Sequence, residues 1–509
     1  MTQGPCFIGI DLGTGSCKCV VVDAQAEVLG FGHGSYPSRS SGQEWDEQDP
    51  HAMLHGMVIA VRTALEQARV QSQECTALSI GGALHSILAL DQAGNPLTGI
   101  LTWADDRAFK QAQAIRGTTE AQELYNQTGC PVHGIYPLYK IRWLKEERPE
   151  CFSQVARFLS AKEFAFYQLT GEFVCDYGLA GGSGLLNVHE LRWNPASLSA
   201  AGISESCLSP LDDPRQIFRL RDTDLVRHMG LPPGLPVVLG CSDAANSSLG
   251  AGAILPGQAT CMVGTSGALR LITEQPVLHP EMRSWCYAMD SRHWLVGGAI
   301  NNGGIALAWL QDILNQAIQG RDPKLSFDNL TGMAAEAPAG AHGLLCLPFF
   351  AGERSPNWNQ SARGIFFGLS LHHQAADLAR SVLEGVALRF RSLSEMLQEI
   401  DLPIDQVRAS GGFAHSDLWL QIMASVLGRP LTLPAWEETS SLGAALWAML
   451  GVGTLARLED MAGLVKLVKI YRPDLTEAAK YDELYSIYTQ IYQAACPAFE
   501  KIAQFQDRM

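Results

Sequence analysis

Residues 7–23 read FIGIDLGTGSCKCVVVD: an apolar run ending on Asp11, a turn of glycines and hydroxyls, then a second apolar run. Two short apolar segments around such a turn predict a β-hairpin. The same grammar returns in the second half. LPVVLGCSD (235–243) closes an apolar run on Asp243, and ATCMVGTSGALRLI (259–272) repeats strand, Gly-Thr-Ser turn and strand. A duplicated unit of this kind predicts two related α/β domains facing each other across a central cleft. The Pro- and Gly-rich LPPGLP (231–236) marks a junction near 232–250, dividing the chain into residues 1–244 and 245–509.

Around these units, strands alternate with long amphipathic segments at 51–70, 374–399 and about 476–505, the pattern of a layered α/β fold. A chain of 509 residues is too long for one core, which also argues for two large domains. Its 47% hydrophobic and 17% charged residues are those of an ordinary globular protein. A net charge of -15 argues against nucleic acid as a partner. It leaves room for an anionic ligand, because backbone N–H groups hold phosphate whatever the global charge. No apolar run approaches the roughly 20 residues that span a bilayer, and Met1–Cys6 lacks the regions of a signal peptide. The 13 scattered cysteines form no paired C-x-x-C sets, which argues against zinc and for free thiols in a reducing compartment, the cytoplasm.

Eight ordered motifs carry a resemblance: GIDLGTGSCK (9–18), GALHS (82–86), WADDR (103–107), SDAANSSLGAG (242–252), VGTSG (263–267), LPFFAGERSPNWN (347–359), GGFAHSDLW (411–419) and EETSSLGAA (437–445). In order and spacing they resemble the FGGY carbohydrate kinases, over nearly the whole chain. The resemblance implies two ribonuclease-H-like (actin-like ATPase) domains, ATP and Mg2+ as cofactors, and a small sugar or sugar acid as substrate. Within the family, GALHS, LPFFAGERSPNWN, GGAINNGG (297–304) and TGCPVHGIYPLYK (128–140) look most like gluconate kinases, with xylulose kinases next. Family members are often dimers, which leaves a homodimer open.

Phosphoryl transfer needs positioning, charge neutralisation and a base for the attacking hydroxyl. Gly13 and Gly15 let backbone approach phosphate, Thr14 and Ser16 add hydroxyls, and Lys18 adds charge, although the turn would also serve as a plain hairpin. Gly264, Thr265, Ser266 and Gly267 form the matching turn, so two loops can clamp one nucleotide. Asp11, at a strand end, can hold Mg2+ through its waters or cap the turn. The resemblance makes Asp243 the general base and a second metal-side carboxylate; the bland alternative is a helix N-cap. The small flank AANSSLGAG is read as leaving room for substrate.

Adenosine is assigned to Gly411, Gly412, Ser416 and the Glu438–Ala445 segment, with little weight on Trp419. Where the family usually carries a third glycine, this chain has Phe413. On the sugar side stand Leu84, His85, Asp105, Arg107 and Ala244, although Asp105 and Arg107 would equally form an internal ion pair. A gluconate carboxylate calls for a cation or N–H groups, for which Arg107, Lys140, His133 and the Asn301–Gly304 turn are candidates. Xylulose kinases typically carry Asn after the catalytic Asp, and Ala244 here leans toward gluconate. Domain closure is expected, with a hinge near Pro232–Gly240. The rival classes are an actin-like nucleotide switch and a silent sugar sensor; the former lacks the sugar-side motifs, and intact Asp11 and Asp243 speak against the latter.

Overall fold

The computed structural model describes residues 4–41, 45–317, 324–506 and 508–509. Its N-terminal sheet contains β1 (Cys6–Leu12), β2 (Ser16–Val22), β3 (Val28–Ser35), β4 (Cys75–Gly82), β5 (Ile217–Arg219) and β6 (Pro236–Val238), in the order β5-β6-β4-β1-β2-β3. The hairpin read from the opening motif is β1/β2, with Asp11 opposite Lys18; β4 pairs parallel with β1, setting Gly81 beside Asp11. A second sheet repeats this plan with β7 (Gln258–Val263), β8 (Gly267–Thr273), β9 (Trp285–Ala288), β10 (Trp294–Ile300), β11 (Gln406–Ser410), β12 (Leu431–Pro434) and β13 (Leu467–Tyr471), ordered β9-β10-β8-β7-β11-β12-β13. Here β7/β8 is the antiparallel hairpin and β11 the parallel neighbour of β7. Each sheet thus has an antiparallel group, three strands in the first and four in the second, joined to parallel strands, the ribonuclease-H-like arrangement twice over.

Burial on both faces explains why β1 is apolar throughout. Ile8 and Ile10 face a core shared with Met57 and Val61 of helix α1 (Pro50–Ala68), whereas Phe7 joins the larger core on the opposite face. The long segments read from the sequence are helices: α1, α4 (Ala375–Gln398) and α7 (Leu475–Gln506), with α2 (Asp243–Gly250), α3 (Gly304–Ala317), α5 (Asp417–Leu427) and α6 (Thr439–Gly451) between them. Among the described residues no helix is long and apolar enough to cross a membrane, and the cysteines are free.

The two sheets are tied by α2 and α6. A Cβ on Gly443 would strike the Asn246 carbonyl, and one on Gly250 the Thr439 carbonyl, so the helices cross backbone to backbone. Most of the small residues of AANSSLGAG therefore serve this crossing, and the stretch borders open space at Ala244, beside Asp243. Helix α2 begins at Asp243 and so runs across the expected division at 244/245. The segment expected to hinge is built into the N-terminal domain: Pro236–Val238 is a strand of its sheet, and Gly240 is wedged against the Ile80 carbonyl of β4.

Candidate active site

Asp243 opens α2, with Ser242 as the N-cap whose hydroxyl accepts from Ala245 N at 3.4 Å. The Asp243 carboxylate accepts from its neighbour's amide, Ala244 N, at 2.7 Å and from Leu84 N at 3.2 Å. Burial raises its pKa, and the Arg270 charge together with those two N–H groups pulls it back. Asp11 is 8% exposed, and its Oδ1 has no hydrogen-bond partner. Burial, reinforced by the Asp243 charge, pushes the Asp11 carboxyl up to about 7, against the Ser440 hydroxyl and Lys18.

Asp243 and Ala244 line a cavity of about 210 Å3 together with Leu84, His85, Trp103, Tyr136, Tyr287, Arg270 and Arg354. His85 Nδ1 lies 2.6 Å from the Gly182 carbonyl, which can only accept, so Nδ1 carries the proton and Nε2 is left an acceptor. Burial pushes this imidazole down to about 3, which keeps it neutral. Tyr136 and Tyr287 flank it edge-on and bond to each other at 2.8 Å.

The second glycine turn is the partition between two cavities. Ser266 and Gly267 line the one at Asp243, while Gly264, Thr265, Gly412, Phe413 and Trp419 line a second of about 670 Å3. Gly411 has φ +89°, and the open space around Gly412 continues into this second cavity. The first turn is tied to the sugar side, because Trp103 Nε1 donates to Thr14 Oγ1 at 2.8 Å. Its backbone is closed by Gly13 N to Ser16 O at 3.0 Å and fixed by Tyr36 N to Gly15 O at 3.0 Å.

Several sequence candidates lie elsewhere. Asp105 is fully buried and grips Arg107 (Nη2 at 2.7 Å), which also reaches Glu47 at 2.6 Å and packs over Trp143; neither lines the cavity. That loop is an internal ion pair, and Trp103 is its contribution to the site. Lys140 is spent on the carbonyls of His85 and Thr102, behind the cavity wall, and burial lowers its pKa to about 7. His133 bonds Ile135 N and Gln360. Asn302 bonds Gly352 and Ala351, Asn301 bonds Ala351, and Gly303 and Gly304 back the second turn through Thr265 and Gly264. Ser416 is the N-cap of α5, its hydroxyl accepting from Trp419 N. Lys18 and Glu438 pair with each other at 2.6 Å, so Lys18 carries a countercharge from the other domain. Most of the Glu438–Ala445 segment packs on α2 and on Gly9 of β1, and Ser440 comes to Asp11.

Sequence reasoning passed over Arg270, Tyr136, Tyr287 and Arg354. Arg354 and Tyr136 sat inside quoted motifs without a role. For Arg270 the signal was available: a lone charge in the buried strand ALRLI. Among the described residues Arg270 has no carboxylate within ion-pair distance, and Asp243 acts on it only through its charge.

Two glycine turns on two duplicated sheets, the second parting a small cavity that holds Asp243 from a larger one, define an actin-like phosphotransferase. The comparisons agree. The model for the FGGY family of carbohydrate kinases, N-terminal domain, matches residues 6–250, and the C-terminal domain model matches 259–452. The chain is 33% identical to the gluconokinase of Bacillus subtilis over 98% of both chains, and 26% identical to a xylulose kinase of Staphylococcus epidermidis over 96% of both. A crystal structure of gluconate kinase from Lactobacillus acidophilus superposes with a TM-score of 0.91 at 30% identity, covering 98% of this chain and 99% of that one. A ligand-bound xylulose kinase from the same organism gives 0.91 at 30%, over 98% and 100%. The chain belongs to the FGGY family of carbohydrate kinases and is an ATP-dependent sugar kinase.

Proposed function

We propose that this enzyme is a cytoplasmic gluconate kinase, transferring the γ-phosphate of ATP to the terminal hydroxyl of D-gluconate to give 6-phosphogluconate. The observation that carries this reading is the charge of the cavity at Asp243. Two guanidiniums, Arg270 and Arg354, line it against one carboxylate, leaving a positive balance that a sugar acid neutralises and a ketose does not. The stronger likeness to a gluconokinase, at 33% identity, supports it.

In this reading Asp243 takes the proton of the attacking hydroxyl, its carboxylate held in place by Leu84 N and Ala244 N. Neutral His85 offers Nε2 to a sugar hydroxyl. Ser266 and Gly267 mark where the phosphoryl group crosses from the larger cavity. The unpartnered, buried Oδ1 of Asp11, electrostatically coupled to Asp243, suits a hydrated divalent cation. Among the described residues no cluster of three ligating side chains exists, which fits Mg2+ held by one or two carboxylates with the remaining positions on water and phosphate. The chemistry supplied by a bound Mg2+ is neutralisation of charge on the transferred phosphate.

The second reading is a xylulose kinase, favoured by the equal TM-score of 0.91 to that structure. Steady-state turnover with Mg-ATP on D-gluconate, D-xylulose, D-ribulose and glycerol separates them. A kcat/KM for gluconate at least tenfold above the others is expected, a xylulose preference would reverse the assignment, and polyol-independent ATP hydrolysis would indicate a switch.

A further inference from the structure

We infer that Arg270 is the residue that selects a sugar acid over a neutral polyol, its guanidinium holding the substrate's carboxylate with Arg354 as the second arm of the cradle. The inference rests on the sugar-acid reading above and names the group that performs the discrimination.

Arg270 stands in the middle of β8, between Leu269 and Leu271, and is 5% exposed. Its cross-strand neighbours are Thr260 and Gly297, neither of which carries charge. A buried guanidinium is costly unless paired and fully bonded. Yet among the described residues its one side-chain hydrogen bond is Nη1 to the Ala244 carbonyl at 2.8 Å, which uses one of five N–H donors. The side chain lines the cavity at the wall formed by Ala244, a residue with no polar side-chain atom of its own. The donors at this wall therefore belong to Arg270.

Arg354 reaches the same cavity from the AGERSPNWN loop. Its Nη2 bonds the Ile300 carbonyl at 3.0 Å, its Nε is buried without a partner, and its guanidinium sits 5.7 Å from the Trp103 ring centre. Of the acids whose charge reaches it, Glu353 is already bound by Arg389 at 2.9 Å, and Asp106 acts more weakly. Asp243 acts electrostatically on Arg270, and the two arginines oppose each other. The remaining titratable neighbours, His85, Tyr136 and Tyr287, are neutral at physiological pH. Two like charges facing one small cavity repel unless an anion joins them, and a planar carboxylate matches the guanidinium fork.

The experiment compares wild type, Arg270→Leu and Arg270→Lys with Mg-ATP on D-gluconate and D-glucitol, which has the same carbon chain with CH2OH in place of the carboxylate. Glucitol is read as turnover or as competitive inhibition. In Arg270→Leu, kcat/KM for gluconate falls roughly a hundredfold or more, mostly through KM, while glucitol changes less than about threefold. Arg270→Lys, which keeps charge but not the fork, recovers part of the loss and decides the matter if the leucine variant fails to fold. Equal losses on both compounds, in whichever variant folds, would overturn the inference and make Arg270 a clamp for the start of α2. A wild type that phosphorylates xylulose but not gluconate would instead overturn the gluconate reading itself, and the inference with it.

Discussion

Replacing Arg389 by methionine tests how the loop that carries Arg354 is held. Arg389, on α4, donates Nε to Glu353 Oε2 at 2.9 Å and Nη2 to the Ser355 carbonyl at 2.8 Å, bracketing Arg354 on both sides. Glu353 is 0% exposed and the Arg389 side chain 2%, while the other Glu353 oxygen accepts from Arg354 N at 2.8 Å. Burial raises the Glu353 pKa, and the Arg389 charge is the strongest influence opposing it. Methionine keeps most of the volume against Phe349 but removes the countercharge, and an uncompensated buried charge costs about 3–5 kcal/mol. Without Arg389 the Glu353 carboxyl rises further, and a carboxyl raised by folding costs stability above its folded pKa and nothing below its unfolded one. The loss should therefore be larger at pH 8 than at pH 5. Urea unfolding at both pH values measures it, with Glu353→Gln/Arg389→Met as control, since replacing both partners restores most of the loss. A single variant within about 1 kcal/mol of wild type at pH 8, or a double variant no better than the single, would refute the account.

Asp243→Asn keeps the hydrogen bonds from Leu84 and Ala244 feasible but removes the base, so turnover should fall about 10²–10⁴-fold while nucleotide affinity, measured by titration, stays within threefold or so. Near-normal turnover would remove Asp243 from the proton transfer. Asp11→Asn removes a buried carboxyl pushed up to about 7 from an ordinary 3.8, a displacement that corresponds to about 4 kcal/mol. That cost is present above pH 7 or so and absent near pH 4, so without Mg2+ the variant should unfold at higher urea than wild type at pH 8 and at a similar concentration at pH 4. A variant no more stable at pH 8 would show that Asp11 is not an unpaid charge in the metal-free protein. Gly443→Ala places a methyl against the Asn246 carbonyl at the helix crossing and should cost about 3 kcal/mol in thermal or urea unfolding; a change under about 0.5 kcal/mol would mean the crossing yields.

The duplicated hairpins were legible because their signal is local. Apolar runs and glycine turns lie within a few residues of one another, with Asp11 closing the first run, and each hairpin closes on its own neighbours. The long helices were legible for the same reason, since periodicity is read within one segment. What the sequence could not display was which side chain a motif would spend inside the protein. Asp105 and Arg107 are two residues apart and close a local ion pair before any ligand arrives, with Glu47 as a third partner from far along the chain. Lys140 and His133 carry groups suited to a carboxylate, yet both are consumed by backbone and amide partners.

That most of AANSSLGAG meets a helix, with Ala244 alone bordering the cavity, has a more general cause. Small residues signal that something approaches closely, and sequence alone does not say whether it is a ligand or another helix. Here Gly250 meets Thr439 and Gly443 meets Asn246, so the small residues of one motif answer those of another almost two hundred residues away. That contact fixes the distance between the two sheets, because α2 begins at Asp243 and α6 lies against Gly9 of β1. Ser440, at the start of α6, reaches Asp11 as well as the Asp243 carbonyl at 3.4 Å. The helix crossing thus sets the spacing of the two carboxylates, Asp11 at the end of β1 and Asp243 after β6 of the same sheet. A substitution there should act on phosphoryl transfer by moving Asp243 relative to Asp11 and should reach Arg270 through the Ala244 carbonyl, while Arg354, held by the Ile300 carbonyl, stays in place.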